Sequence, residues 1–309
     1  MITIPDLQTA LLDLLREVKG TDVKLIIGGG FGIYLKTVHV RRLGVRTLLK
    51  EWPEPRSTND LDLFLRPELL IEPAQLKPLA EALDKLGYQA VPGAEKYQFV
   101  KPGPGGTEEG SIKIDILTGP QNRFEGTPVR ADDRRARPKP SVGIHAHPVD
   151  EAPTLEEGLL PILLNGKLRS GESWQAEVFL PHPYTFLMMK LFAFRDRLDD
   201  ADKEFGRYHA MDMYAILATT MESEWDQAIQ FRDQYADEPY VMEGGAWSRD
   251  TFPPLTVRAL SDCGKAIIIG PNCSSMNLSR PCRKCFHQRP KQMLKETERR
   301  VWTRNTFAI

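Results

Sequence analysis

The chain has 309 residues, 41% of them hydrophobic and 27% charged, with a formal net charge of −1. That composition is ordinary for a soluble protein and leaves room for two cored domains or one elaborated α/β domain. The near-neutral charge neither demands nor excludes nucleic acid, since a local basic patch can carry binding. No run of 18 apolar residues occurs, and the N-terminus has no basic region followed by an apolar core; neither a membrane span nor a secretory signal is indicated, and a cytoplasmic protein is expected.

From the N-terminus, Pro5 to Val18 reads as an amphipathic helix, because Leu7, Leu11, Leu12, Leu14, Leu15 and Val18 recur at helical spacing and Gly20 offers a stop. Val23 to Ile27 is a strand pattern that runs directly into Gly28-Gly29-Gly30-Phe31-Gly32 and then a helix-like stretch to about Val40. Glycines at such a junction let backbone amides approach a phosphate, and the helix N-terminus favours an anion; the bland alternative is a tight turn. Arg41, Arg42, Arg46 and Lys50 then form a basic segment, read as a solvated face, ahead of Trp52-Pro53-Glu54-Pro55.

Asp60-Leu61-Asp62 follows, inside Arg56-Ser57-Thr58-Asn59-Asp60-Leu61-Asp62-Leu63-Phe64-Leu65. Side chains alternate across a strand, so both acids fall on one face at its mouth. Two carboxylates so placed make a divalent-metal site in search of a third ligand, and Asp115 in Ile112-Lys113-Ile114-Asp115-Ile116-Leu117 is the candidate. An acid interrupting a buried pattern needs a partner or a metal. Pro73 to Leu86 is the intervening helix, with its stripe of Leu76, Leu79, Leu83 and Leu86 facing the sheet. Residues 97–100 and 111–117 read as a hairpin that would carry Asp115 beside Asp60 and Asp62.

Residues 119–140 are rich in Arg and Pro, with Asp132-Asp133 breaking the positive run, and read as a surface loop, nucleic-acid contact being the alternative; residues 174–180 resume a strand pattern. Pro183 opens a largely buried helix in which Lys190 and Arg195 are the polar exceptions, and buried cations need an anionic partner. Asp196, Asp199, Asp200 and Asp212 are the protein's own candidates for that partner. Helices over about 202–221 and 222–235 follow, and His209 is assigned to packing or hydrogen bonding. All four cysteines, Cys263, Cys273, Cys282 and Cys285, lie in a terminal segment whose residues 280–304 hold nine Lys/Arg against two Glu, a balance of +7. Zinc is one reading of these cysteines, but Cys263 and Cys273 are not a close pair, and an irregular tail is the expectation.

Taken in order, the hydrophobic strand, Gly29-Gly30, Arg56-x-Thr58-x-Asp60-x-Asp62 and Asp115 resemble the nucleotidyltransferase superfamily of DNA polymerase β type. The block from Pro183 through Lys190 and Arg195, then Lys203-Glu204 to Asp212-Met213-Tyr214, is similar to the AbiEii-like toxins of abortive-infection and toxin–antitoxin systems. The resemblance covers roughly residues 23–217. It implies an α/β (α+β) fold: a nucleotidyltransferase-type mixed β-sheet with flanking helices over residues 1–180, then a helical C-terminal half over 181–260, with 261–309 as the tail. It also implies catalytic and metal-binding roles for Asp60, Asp62 and Asp115, with Mg²⁺ or Mn²⁺, and nucleotide contacts from Gly29, Gly30, Arg56, Thr58, Lys190 and Arg195. The substrate it implies is a nucleoside triphosphate, the acceptor a tRNA or other RNA 3′ end, and a further partner a cognate antitoxin. A small-molecule nucleotidyltransferase of the aminoglycoside-modifying sort and a non-catalytic binding module are the alternatives; the sign of the surface beside Asp115 separates the first of these.

Overall fold

The computed structural model describes residues 2–54, 58–94, 96–103, 110–198 and 203–251, apart from the side chains of 203–205. Arg56 and the cysteine-bearing tail lie outside these residues.

Helix α1 (Ile4–Glu17) starts at a capping box in which the Thr3 hydroxyl and backbone N–H both donate to Asp6. Its stripe of Leu7, Leu11 and Leu14 is fully buried against the sheet, each side chain contributing about 1.5–3 kcal/mol. Only Ile26–Ile27 of the expected first strand pair as β1, after which α2 (Gly29–Leu43) begins and ends on the left-handed Gly44. Strand β2 (Asp60–Leu65) leads to a short α3 (Pro67–Ile71), absent from the sequence reading, and then to α4 (Pro73–Lys85). The α4 stripe buries Leu76, Leu79 and Leu83, while Leu86 becomes the C-cap. Strands β3 (Gln89–Ala90), β4 (Gln98–Lys101) and β5 (Ile112–Thr118) form the expected hairpin with one extra edge strand.

The Arg/Pro-rich stretch is more ordered than a plain loop. A 3₁₀ turn at Gln121–Phe124 precedes a small two-stranded ribbon of β6 (Arg130–Ala131) and β7 (Ala136–Arg137). Strand β8 (His147–Pro148) returns to pair with β5. Strands β9 (Leu160–Lys167) and β10 (Ser173–Leu180) complete a mixed sheet of order β3-β4-β5-β2-β1-β10-β9. The edge at β9 is blunted: Pro161 has no N–H, Asn165 donates to the Leu163 carbonyl, and Gln8 donates to the Asn165 carbonyl.

The sheet has two unlike faces. Leu61, Leu63, Leu65, Ile114, Ile116, Val178 and Leu180 join α1, α2 and α4 in the main core. On the other face Ile26, Phe64 and Leu117 meet Val149, Ala152, Leu155 and Met189. The second face is therefore covered by the 149–155 segment and α5, and Asp60 and Asp62 precede Phe64 on it.

Helices α5 (Pro183–Asp196), α6 (Lys203–Thr219), α7 (Glu222–Gln234) and α8 (Pro239–Thr251) form the helical part, α8 being the one absent from the sequence reading. Phe186, Ala215 and Ile216 enter the same core as the sheet, and a buried Lys36–Glu224 ion pair ties α2 to α7. His182 caps α5 by accepting the Tyr184 N–H at 3.1 Å and is 1% exposed. Burial, then the Lys36 charge, holds it down to about 4 from an ordinary 6.5. Unfolded His182 therefore binds a proton that the folded state refuses, and stability falls as pH drops from about 6.5 to 4. This group alone is worth about 3 kcal/mol over that window; His145, held at about 4 mainly by burial, adds to the slope. Melting temperatures measured from pH 7 to 4 should fall less steeply in His182→Asn, which keeps a capping oxygen but does not titrate.

Candidate active site

Strand β2 runs antiparallel to β1 and parallel to β5, with Asp62 opposite Asp115 and Asp60 opposite Lys113. Residues in register on paired strands share a face, so Asp60, Asp62 and Asp115 occupy one face at the end of the sheet where β1 turns into α2. The sequence-level expectation for their mutual placement is met. The Gly28 N–H donates to the Asp62 carbonyl at 2.8 Å, carrying the β1–β2 ladder up to the glycine turn.

That turn is built around Asp62. Gly29 has a φ of +57°, and a Cβ there would fall on the Asp62 carboxylate; a Cβ on Gly28 would meet the Phe64 ring. Glycine is thus required both for its backbone conformation and for the approach of the chain to the acid. The first amides of α2 have no intrahelical acceptor and open beside this face, with Gly30 buried behind them. Gly29→Ala is expected to cost about 1–2 kcal/mol in backbone strain and to push Asp62 out of place. A thermal melt and a transfer assay on the same preparation check both effects.

Thr58, buried, donates its hydroxyl to the Asp60 carboxylate. Asp115 is half-buried, and burial together with the Asp60 charge pushes its carboxyl above the usual range, against a hydrogen bond from Gln98 and the charges of Lys113 and His147. Gln98 lies opposite Asp115 on β4, and His147 lies opposite Leu117 on β8. The sequence reading missed Gln98, Lys113 and His147 as neighbours of Asp115; only strand register brings them there. Among the described residues no three His, Cys, Asp or Glu side chains converge as a metal-holding cluster. The donor chemistry nevertheless suits a hard divalent cation: three carboxylates share one face, and Asp115 is destabilised by the charge of Asp60.

Lys190 and Arg195 are both engaged with protein carboxylates. Lys190 Nζ lies 2.8 Å from Asp212 Oδ2, with both side chains buried. Arg195 pairs with Asp196 at 3.0 Å and Glu243 at 2.5 Å, and stacks over the Phe192 ring. Asp212 and Asp196 are among the acids that the sequence offers as partners, whereas Glu243 belongs to the unanticipated α8. A second group of acids lies near His147: burial, with the charges of Asp150 and Asp196, raises Glu151, and Asp150 is met by Tyr240.

Comparison with solved structures gives two distant likenesses. One is an antigenic nucleotidyltransferase-like protein from Paracoccidioides brasiliensis, at 14% identity and TM-score 0.42, covering 81% of this chain and 90% of that one. The other is the antibiotic-resistance factor ANT(2'')-Ia, at 14% identity and TM-score 0.32, covering 76% of this chain and 96% of that one. No protein-family model and no curated protein matches the chain. At these values the likenesses carry no functional weight; the chemistry rests on the site itself. No helix among the described residues is long and apolar enough to cross a membrane.

Proposed function

We propose that the protein is a metal-dependent nucleotidyltransferase that moves a nucleoside monophosphate from a nucleoside triphosphate to an acceptor hydroxyl. The observation that carries this reading is the juxtaposition of Asp60, Asp62 and Asp115 on one sheet face with a glycine turn opening a helix N-terminus beside them. Mg²⁺ or Mn²⁺ held by these three acids would supply positive charge to the triphosphate. Amides of Gly29 and Gly30 would receive phosphate oxygens, and Thr58 would keep Asp60 oriented. Asp115 would take the proton of the acceptor hydroxyl as its oxygen bonds to the α-phosphorus and the bond to the departing pyrophosphate breaks.

Lys190 and Arg195 would serve the triphosphate by exchanging Asp212, Asp196 and Glu243 for phosphate oxygens when nucleotide binds. The proposed role of Arg56 is a contact with the same nucleotide, by resemblance alone. The likeness of the Pro183–Tyr214 block to AbiEii-like toxins supports an RNA acceptor, a tRNA 3′ end, and an antitoxin partner. A second reading, a cationic small-molecule acceptor, is favoured by the acids Asp150, Glu151 and Asp196 near His147.

Purified protein incubated with labelled nucleoside triphosphates, with and without Mg²⁺, and offered RNA, aminoglycosides and proteins should label RNA in a Mg²⁺-dependent way. Label on an aminoglycoside alone would establish the second reading, and no label on any acceptor would overturn the transferase.

A further inference from the structure

The surface around Asp115 carries charges of both signs, and they differ in what they are already bound to. Among the acids, Asp150 accepts the Gln121 N–H at 2.8 Å and its side-chain amide at 2.9 Å. Asp196 and Glu243 both hold Arg195, and burial pushes Glu151 towards its neutral form. Each of these acids is thus already held: Asp150 by neutral donors, and Asp196 and Glu243 by a single guanidinium.

The basic groups are the reverse case. Asp132 accepts the backbone N–H groups of Arg134 and Arg135 and pairs with Arg137, which fixes the β6–β7 ribbon in shape. The side chains of Arg130, Arg134, Arg135, Lys96 and Lys139 form no ion pair among the described residues. Arg130, Arg134 and Lys139 are exposed, and Arg135 and Lys96 half-exposed. The ribbon is tied to the reacting end of the sheet. Ala136 and Ala146 exchange backbone hydrogen bonds at 2.7 and 3.1 Å. The Arg134 carbonyl sits 2.9 Å from His147 Nδ1, and His147 is in register with Leu117, two residues beyond Asp115. Lys96 joins from the other side, its carbonyl accepting the His145 N–H at 2.6 Å, two residues before the Gln98 that holds Asp115. Between them the half-exposed rings of Tyr97 and His147 lie 6.0 Å apart.

We propose that Lys96, Arg134, Arg135 and the Tyr97 ring form a binding site for a single-stranded nucleic acid, the cations taking successive backbone phosphates and the ring stacking on a base. Arg134 and Arg135 on the ribbon and Lys96 beside it outnumber their acidic neighbours, Asp132, which also feels the Arg135 charge, and the exposed Asp133; such cations suit a phosphodiester chain, and an aromatic ring beside them suits unpaired bases. Placing the strand's end next to Asp115 rests on the transferase reading; binding of the strand does not.

The test is fluorescence anisotropy of a labelled single-stranded RNA oligonucleotide, without nucleotide, across a salt series. Wild-type affinity should fall as salt rises. Arg134→Ala/Arg135→Ala should weaken binding at least tenfold and reduce the magnitude of the slope of log K against log salt by about 1.4, at roughly 0.7 per phosphate on a single strand. Tyr97→Leu should weaken binding about five- to a hundredfold with the slope unchanged, as loss of one base stack does. Lys19→Glu, exposed in the turn that follows α1, should bind as wild type. Because truncating Arg134 and Arg135 leaves their backbone bonds to Asp132 in place, the double variant should melt as wild type and gain the same stabilisation from Mg²⁺-ATP. That separates the strand site from the triphosphate site. Wild-type protein that binds no oligonucleotide, or a double variant with unchanged affinity and slope, overturns the site even if nucleotide transfer to another acceptor is found. Tight binding with no transfer to any acceptor would instead leave the site standing and remove the transferase.

Discussion

Asp60→Asn is expected to lower nucleotide transfer at least a hundredfold, a loss of about 3 kcal/mol or more in transition-state stabilisation, while the protein stays folded. The amide keeps the shape of the carboxylate and can still accept from Thr58, but it binds Mg²⁺ poorly. Asp115→Asn should abolish transfer as well, with a second signature. Burial and the Asp60 charge disfavour the ionised Asp115 in the fold. Its folded-state pKa is raised, so the ionised group costs stability as pH climbs from the unfolded value through the folded one. At neutral pH the metal-free Asp115→Asn protein should therefore melt above wild type. Melting curves in EDTA and single-turnover rates in Mg²⁺ read the two effects separately. Wild-type rates in Asp60→Asn would sink the transferase mechanism. A melting point for Asp115→Asn below wild type would show that the carboxylate has a stabilising partner in the fold.

Lys190→Met carries the second large effect. Lys190 and Asp212 are buried, at 11% and 4% side-chain exposure, and 2.8 Å apart. Removing the cation leaves a carboxylate without it in a poorly solvated place, which costs about 3–5 kcal/mol. Replacing both with apolar residues, Lys190→Met with Asp212→Leu, should restore much of that loss. The phosphate role adds a separate demand: the single variant should also gain less stability from Mg²⁺-nucleotide than wild type does. A variant that melts early yet gains the wild-type increment confines Lys190 to the ion pair. One that melts like wild type would show the pair to be energetically idle.

The acids and the glycine turn were legible in the sequence because both obey local rules. Alternation along Asp60-Leu61-Asp62 places two carboxylates on one face whatever the rest of the chain does, and Gly28-Gly29-Gly30 after an apolar run marks a strand-to-helix junction. The hairpin expected around Asp115 followed from strand pattern and a glycine-rich connection, and with it the arrival of the third acid. The helices of α1, α4 and α5 were set by apolar periodicity and by Thr3, Pro73 and Pro183 at their starts.

Tertiary structure decided the matters that depend on pairing between distant segments. Gln98, Lys113 and His147 become neighbours of Asp115 through strand register, a property that periodicity within one strand cannot express. Lys190 had four acids within reach by sequence alone, and only the packing of α5 on α6 selected Asp212. The Arg-rich stretch looked like a solvated loop because its strands are two residues long; Asp132 and the Ala136–Ala146 bridge, not propensity, hold it against the sheet. Composition fixed that any polyanion site must be local, since the whole chain is nearly neutral. The fold alone determined which of its cations were left without a carboxylate, because ion pairing is settled by distances that the sequence does not contain.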